Sequence, residues 1–383
     1  MEIPFNKEYY TGLEKKYIED ILNNKKHTRG DGFYTNKVSK LLENKFETKK
    51  AIMTTSGTHA LEMAASLINL KADDEVIMPS FTFPSTANAV IKEQARPVFV
   101  EIKKDTLNID PTKIEPNITD KTRAIMPIHY ASVAADMEQI KEIADFYDLY
   151  IIEDAAQAVN AKYKDQYLGT LGDFGCFSFH STKNYISGEG GALLINKDDE
   201  QLFERAAILR DKGTNKSRFL KGKVNKYTWV DQGSSYLPSD LLMAFLYGQL
   251  EKMDEIKSLR ENIFNRYQKE FKYLTNYSFV DSIIQIPANR NINYNSFYFI
   301  FSNNEYQKQA IKKLKERNIT ATFHYIPLHL SKMGKKLGYD KGDLPKTEKL
   351  AATIMRIPLY TGMTEQELDY VVQNIKKVFK ELA

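Results

Sequence analysis

Through its first half the chain alternates short apolar runs with stretches of helical period. The runs are Ala51-Ile52-Met53, Glu75-Val76-Ile77-Met78-Pro79, Pro97 to Ile102, Ala124 to Tyr130, Leu149 to Asp154 and Phe174 to Phe179. Their length and the turn residues around them are those of buried strands. Between them lie helical patterns. Leu13, Tyr17, Ile18, Ile21 and Leu22 share one face of a leading helix, and Ala60, Leu61, Ala64, Ala65 and Ile68 share one face of another. Further helices are predicted after Ser80–Thr86 through Val90 and over Asp136–Tyr147. Strands alternating with helices predict a mostly parallel α/β sheet covered on both faces.

Beyond Gly191 the pattern changes. A strand (Ala192–Ile195), a helix (Asp198–Arg210) and a helix from Ser239 with Leu241, Leu242, Phe245 and Leu250 complete the first unit. A long charged helix, about Met253 to Leu274, leads to a second unit. That unit has a strand at Ser296–Phe301, a helix at Glu305–Arg317 and a final helix at Glu365–Lys380. The expected division is residues 1–250 and 251–383, since 383 residues exceed what one core usually covers. Two polar stretches stand out. Lys25 to Phe33 reads as a surface loop, or as one that reaches a ligand or a partner subunit. Asp211 to Ser235, which holds the only tryptophan, Trp229, is longer than ordinary connections and reads as a functional or interface arm.

In such sheets ligands sit beyond the carboxyl ends of the strands. Asp154, His129, Phe83, Lys183 and the Ser56-Gly57-Thr58 turn all fall at such ends. Lys183 lies between the buried run and the glycines Gly188, Gly190 and Gly191, where it is carried inward. Partial desolvation lowers an amine's pKa, and a neutral amine attacks carbonyls. A helix N-terminus after Ser56-Gly57-Thr58 favours an anion such as phosphate, although this is neither a dinucleotide fingerprint nor a P-loop and equally suits plain capping. Phe83 suits stacking on a flat ring as well as core packing. Amine, carboxylate, anion cradle and aromatic face are together what a ring cofactor bearing an aldehyde and a phosphate needs.

Composition narrows the field. Net charge is +4, from 54 basic and 50 acidic residues, too balanced to imply nucleic-acid or membrane binding. The single cysteine, Cys176, excludes an internal disulfide and lies in the buried run, where it reads as a small hydrophobe. Met1 to Asn6 carry no apolar leader core and no stretch matches a membrane span, so the expectation is a cytoplasmic protein. The six histidines form no metal-ligand cluster; His324 and His329 flank Pro327 without an acid or cysteine partner, and His180 is read as part of the buried run.

At Glu153-Asp154-Ala155-Ala156-Gln157 and Phe177-Ser178-Phe179-His180-Ser181-Thr182-Lys183-Asn184 the sequence resembles the sugar-nucleotide aminotransferases of the DegT/DnrJ/EryC1/StrS family. The resemblance runs from Ile3-Pro4-Phe5-Asn6 to the last helix. Asp211-Lys212-Gly213-Thr214-Asn215, Lys226-Tyr227-Thr228-Trp229, Gly233-Ser234-Ser235-Tyr236-Leu237 and Phe323-His324-Tyr325-Ile326-Pro327-Leu328-His329 bring it nearest to the subgroup that makes dTDP-4-amino-4,6-dideoxygalactose. The resemblance implies fold type I of the enzymes that use pyridoxal 5′-phosphate (PLP): a large domain with a mostly parallel seven-stranded sheet and a smaller α+β C-terminal domain. It implies that Lys183 holds PLP and then moves the substrate's proton, and that Asp154 pairs with the pyridine nitrogen. Gln157 would contact the ring's phenolic oxygen, Phe83 would stack on the ring, and Gly57, Thr58 and the Ser178 hydroxyl would hold the phosphate. His324 and Tyr325 would approach the sugar. Family members are homodimers with shared sites, and many place an asparagine after the tyrosine of the Tyr236 motif to reach the partner's phosphate. Here that position is Leu237.

The implied reaction takes dTDP-4-dehydro-6-deoxy-D-glucose and L-glutamate to dTDP-4-amino-4,6-dideoxy-D-galactose and 2-oxoglutarate. The rivals are the same chemistry giving the gluco epimer or a 3-amino sugar, the family's dehydratase branch, and a PLP-free, non-catalytic member. The dehydratase branch carries histidine at the lysine position, so Lys183 argues against it. The intact set Asp154, Gln157, Ser178 and Lys183 argues against the last.

Overall fold

The computed structural model describes residues 1–383. Its strands are β1 (Lys50–Thr54), β2 (Glu75–Pro79), β3 (Arg96–Val100), β4 (Thr122–Ile125), β5 (Tyr150–Asp154), β6 (Lys162–Tyr163), β7 (Gln166–Tyr167), β8 (Phe174–Ser178), β9 (Gly191–Ile195), β10 (Val280–Ile283), β11 (Arg290–Asn291), β12 (Phe297–Phe301) and β13 (Ile354–Ile357). Seven of them form one sheet in the order β1-β9-β8-β5-β4-β2-β3. The pairs from β3 through β8 are parallel, and β9 runs antiparallel between β8 and β1. This is the seven-stranded, mostly parallel sheet that the resemblance implies. Both faces are covered. One core packs Ala60, Leu61, Ala64 and Val90 of the following helices against Ile52, Val76, Ile152 and Leu193. On the other face Val38, Leu42, Met243 and Leu246 meet Met53, Ile77, Ile151 and Phe177.

A three-stranded antiparallel sheet, β10-β12-β13, builds the C-terminal core. All five residues of β12 are buried, and the last helix, Glu365–Leu382, lays Leu368, Val371, Ile375 and Phe379 against this core. The helix Met253–Phe271 spans two cores: Met253 and Ile256 join the large-sheet core, whereas Ile263, Phe264, Tyr267 and Phe271 join the C-terminal one. The N-terminal segment also crosses over, since Ile3 N–H donates to Asn318 C=O at 2.8 Å. A third small sheet, β11-β6-β7, is separate from the other two and packs Tyr163 and Tyr167 onto the large-sheet core.

Several elements differ from the pattern. The run Ala124–Tyr130 is strand only to Ile125, because Pro127 has no N–H for the ladder and Tyr130–Ser132 closes into a 3₁₀ turn. The strand ends at Ser178 and burial continues through Phe179, but His180 beyond it is partly exposed. A helix not marked from the pattern covers Phe33–Phe46, burying Tyr34, Val38, Leu42 and Phe46. Its first turn is capped from far along the chain. The buried Asp240 accepts from Tyr34 N–H (3.2 Å), Thr35 N–H (2.7 Å) and Thr35 Oγ1 (2.7 Å). No helix is long and apolar enough to cross a membrane.

Candidate active site

Because β1, β5 and β8 point the same way, their carboxyl ends open onto one cavity of about 440 Å³. The C-terminal unit closes its other side. The nine residues to which the resemblance gives a role line it: Gly57, Thr58, Phe83, Asp154, Gln157, Ser178, Lys183, His324 and Tyr325.

Lys183 follows β8 in a turn closed by its own N–H to His180 C=O at 2.9 Å. Burial lowers its pKa from 10.5 to about 8, against the pull of the Asp154 carboxylate and with Arg356 adding to the fall. Roughly a tenth of such amines are neutral at pH 7, against roughly one in three thousand for an ordinary lysine.

Asp154 ends β5 and is 7 % exposed. Its Oδ2 accepts from Thr86 Oγ1 at 2.7 Å and its Oδ1 from Ala156 N–H at 3.2 Å. Thr86 in turn meets Thr82 Oγ1 at 2.8 Å. Since Thr86 donates to the carboxylate, Thr82 donates to Thr86, and the chain of hydroxyls holds the acid oriented.

The anion cradle stands where β1 turns into the helix Gly57–Leu67. Ser56 caps that helix, its Oγ accepting from His59 N–H at 3.2 Å. The N–H groups of Gly57 and Thr58 have no partner within the helix. Backbones crowd here. A Cβ on Gly57 would lie 2.8 Å from Ser178 Cβ, and one on Gly191 would lie 2.3 Å from the Ser56 carbonyl carbon. The Ser178 hydroxyl and a Thr58 hydroxyl 2.7 Å from Ser85 Oγ flank the cradle. Free N–H groups at a positive helix end, beside hydroxyls, suit a phosphate. With the Lys183 amine and the Asp154 side chain lining the same cavity, the residues fit PLP.

Phe83, 58 % exposed, stands at the rim with its ring 6.4 Å from that of Tyr325, so it is not core packing. Gln157 Oε1 accepts from Ala131 N–H (2.8 Å), and its Nε2 donates to Tyr325 Oη (2.9 Å). His324 Nδ1 lies 3.2 Å from Tyr130 Oη, and burial holds the imidazole neutral, with Arg356 and Lys183 adding to the effect.

Two histidines fall elsewhere than expected. His129 is at a strand end but does not line the cavity: it is fully buried, its Nδ1 accepts from Ala135 N–H (3.2 Å) and its Nε2 donates to Glu153 at 2.8 Å. Alternation along β5 sends Glu153 and Asp154 to opposite faces, and His129 follows Glu153. His180, beyond the end of β8, lines the cavity 3.6 Å from Glu189. His329 is buried between Ser80 Oγ (2.7 Å) and Glu348 (3.3 Å). The sequence reading missed Thr82, Thr86, Asn295, Ser296 and Arg356 at the site. Nothing in the sequence reading marks Arg356, whose strand is not singled out.

The stretch Asp211–Ser235 is a ribbon bridged at Asp211/Ser235 and Thr214/Trp229, carrying a short helix, Lys216–Leu220. Trp229 is 77 % exposed at its edge. Leu237 packs close to Gly30 and does not line the cavity.

The model of the DegT/DnrJ/EryC1/StrS aminotransferase family matches residues 9–376. The spore coat polysaccharide biosynthesis protein SpsC of Bacillus subtilis is 32% identical over 87% of this chain and 86% of its own. GDP-perosamine synthase of Caulobacter vibrioides is 31% identical over 86% of each. A Streptococcus pneumoniae protein assigned as a sugar aminotransferase, solved in its PLP form, superposes with a TM-score of 0.92 at 25% identity over 100% of both chains. The chain therefore belongs to the DegT/DnrJ/EryC1/StrS aminotransferase family, whose cofactor is PLP.

Proposed function

We propose that the chain transfers the amino group of L-glutamate to C4 of dTDP-4-dehydro-6-deoxy-D-glucose, giving dTDP-4-amino-4,6-dideoxy-D-galactose and 2-oxoglutarate. The observation that carries the transaminase reading is the meeting, in one cavity, of an amine of lowered pKa, a buried, hydrogen-bonded carboxyl group and a helix-end anion cradle. Bound PLP supplies an electron sink and a carrier for the amino group. Lys183 would attach it and, once displaced by the donor, move the proton between donor carbon and carrier. Asp154 would keep the pyridine nitrogen protonated, steadied by Thr86 and Ala156 N–H. Gly57 and Thr58 N–H, with Ser178, would hold the phosphate, and Phe83 would cover the ring from the rim. Gln157 would contact the ring's phenolic oxygen while tied to Tyr325. His324 and Tyr325, on the C-terminal side, would face the sugar.

The exposed apolar edge of the Asp211–Ser235 ribbon supports a homodimer in which each subunit completes its partner's site. Residues 1–250 would then form the PLP-binding domain and 251–383 the smaller one. The perosamine synthase likeness favours a second reading, the same chemistry on a GDP-linked 4-keto sugar. The test is turnover of purified protein with L-glutamate and each nucleotide sugar, following 2-oxoglutarate and identifying the amino sugar by NMR. A 4-amino galacto product from the dTDP sugar is expected. A gluco or 3-amino product, or turnover of the GDP sugar alone, would overturn the substrate assignment and leave the transaminase.

A further inference from the structure

Arg356 brings an unpaired positive charge into the reacting end of the cavity. It lies on β13, and its backbone is fixed to the segment leading to His324: Arg356 N–H donates to Thr322 C=O at 2.7 Å, and Thr322 N–H returns to Arg356 C=O at 3.0 Å. Its flanking residues, Met355 and Ile357, belong to the C-terminal core, and Arg356 lines the cavity together with Ile357. The guanidinium is held in one plane. Phe5 covers it, with the ring centroid 4.7 Å from Cζ, and Nη2 donates to Ser296 Oγ at 2.7 Å. Ser296 Oγ leans on Asn295 Oδ1 (3.2 Å), and Asn295 Nδ2 donates to Asn184 Oδ1 (3.1 Å), next to Lys183.

The chain supplies this cation with no counter-ion. Ser296 is its one side-chain hydrogen-bond partner, and Nε is shielded from water without any. Of the two acids that line the cavity, Asp154 is taken by Thr86 and Ala156, and Glu189 stands by His180. A partly buried guanidinium, stacked and unpaired, is poised for a planar anion that its remaining N–H groups can meet.

We propose that Arg356 binds the carboxylate next to the reacting carbon of the amino donor. This rests on the transaminase reading. The donor's α-carboxylate is one bond from the carbon that gives up its proton to Lys183, so its cation must stand at the reacting end. The positive charge of Arg356 acts on Lys183, His324, Tyr130 and Tyr325, which surround that end. The diphosphate of a nucleotide sugar lies a whole pyranose ring farther out when its keto carbon is at Lys183. Ser296 and Asn295 then act as positioning residues for the guanidinium.

The test is calorimetric binding of 2-oxoglutarate, and separately of dTDP, to PLP-loaded wild type, Arg356→Gln and Arg356→Lys. Loss of a charged hydrogen-bond partner weakens 2-oxoglutarate by about ten- to a hundred-fold in Arg356→Gln. Arg356→Lys is expected to regain part of it, and dTDP affinity is expected to hold in both. The KM for L-glutamate should rise in parallel while that for the keto sugar does not. Weakened dTDP with unchanged 2-oxoglutarate would assign Arg356 to the diphosphate and overturn the proposal. Unchanged binding of both would also overturn it. Wild type that binds 2-oxoglutarate but does not turn over the dTDP sugar would fail the substrate assignment alone, because binding of the donor's keto acid is read directly.

Discussion

The two walls of the cavity are built in different ways. The large-sheet wall is made where strands end. Asp154 closes β5, Ser178 closes β8, Gly57 follows β1, and Lys183 sits in the turn after β8. Each is placed by backbone a few residues away. The C-terminal wall is made of side chains that reach in from loops and from one antiparallel strand: Asn295, Ser296, His324, Tyr325 and Arg356. These are oriented by one another and by partners over a hundred residues distant, as Asn295 is by Asn184. The first wall fits the bond-making chemistry shared by the whole family. The second fits the choice of what is brought to it.

The sharpest way to break that comparison is to remove the amine. Lys183→Ala should lower turnover on the order of 10³-fold or more and abolish the visible absorbance of lysine-bound PLP, with far-UV circular dichroism unchanged. Retained turnover would end the proposed mechanism.

A second contrast lies within one wall, between adjacent acids. Glu153 is fully buried, and its carboxylate accepts from His129 Nε2 and from Gly169, Leu171 and Gly172 N–H, all within 2.8 Å. Glu153→Ala leaves those donors unpaired and should cost about 3–5 kcal/mol in denaturant unfolding. Asp154→Asn should leave stability nearly unchanged yet lower kcat by about 10²-fold, since it would remove the carboxylate proposed to face the cofactor ring. Exchange of these two phenotypes would mean the two acids were assigned to the wrong faces.

Smaller effects sharpen the picture. Thr86→Val deletes the hydrogen bond to Asp154 Oδ2, a charged bond worth about 1.5–3 kcal/mol. It should reduce kcat by about ten-fold with KM values held; an equal rise in KM would make Thr86 a packing residue. The pH dependence of PLP attachment to PLP-free protein tests the lysine itself. Burial lowers its pKa to about 8, so the neutral, reactive amine accumulates above that value. The attachment rate should therefore climb with pH to a plateau past about 8, whereas an ordinary lysine would still be climbing at 10.

The two walls also differ in how far the sequence discloses them. Lys183, Asp154 and Gly57 are legible because strand, turn and glycine signals stand beside them in the chain. Phe83 is legible for the same reason, although only the structure separates a rim aromatic from a core one. Arg356 and Ser296 are not, since their meaning comes from a cavity that the chain closes from its far end. His129 shows the reverse error. A strand-end position is not enough when alternation turns the side chain to the other face, and there Glu153 binds it. The helix Phe33–Phe46 left a readable trace in Tyr34, Val38, Leu42 and Phe46, four apart, but its cap, Asp240, is two hundred residues away. The buried run does reach Phe179, although the strand stops at Ser178, and His180 just beyond it reads as interior but is partly exposed.

The most direct measurement is chemical mapping of the cofactor. PLP-loaded protein is reduced with borohydride, digested and sequenced by mass spectrometry. A pyridoxyl adduct on Lys183 alone is predicted. An adduct on another lysine, or none after loading, would contradict the assignment of this cavity as the catalytic centre.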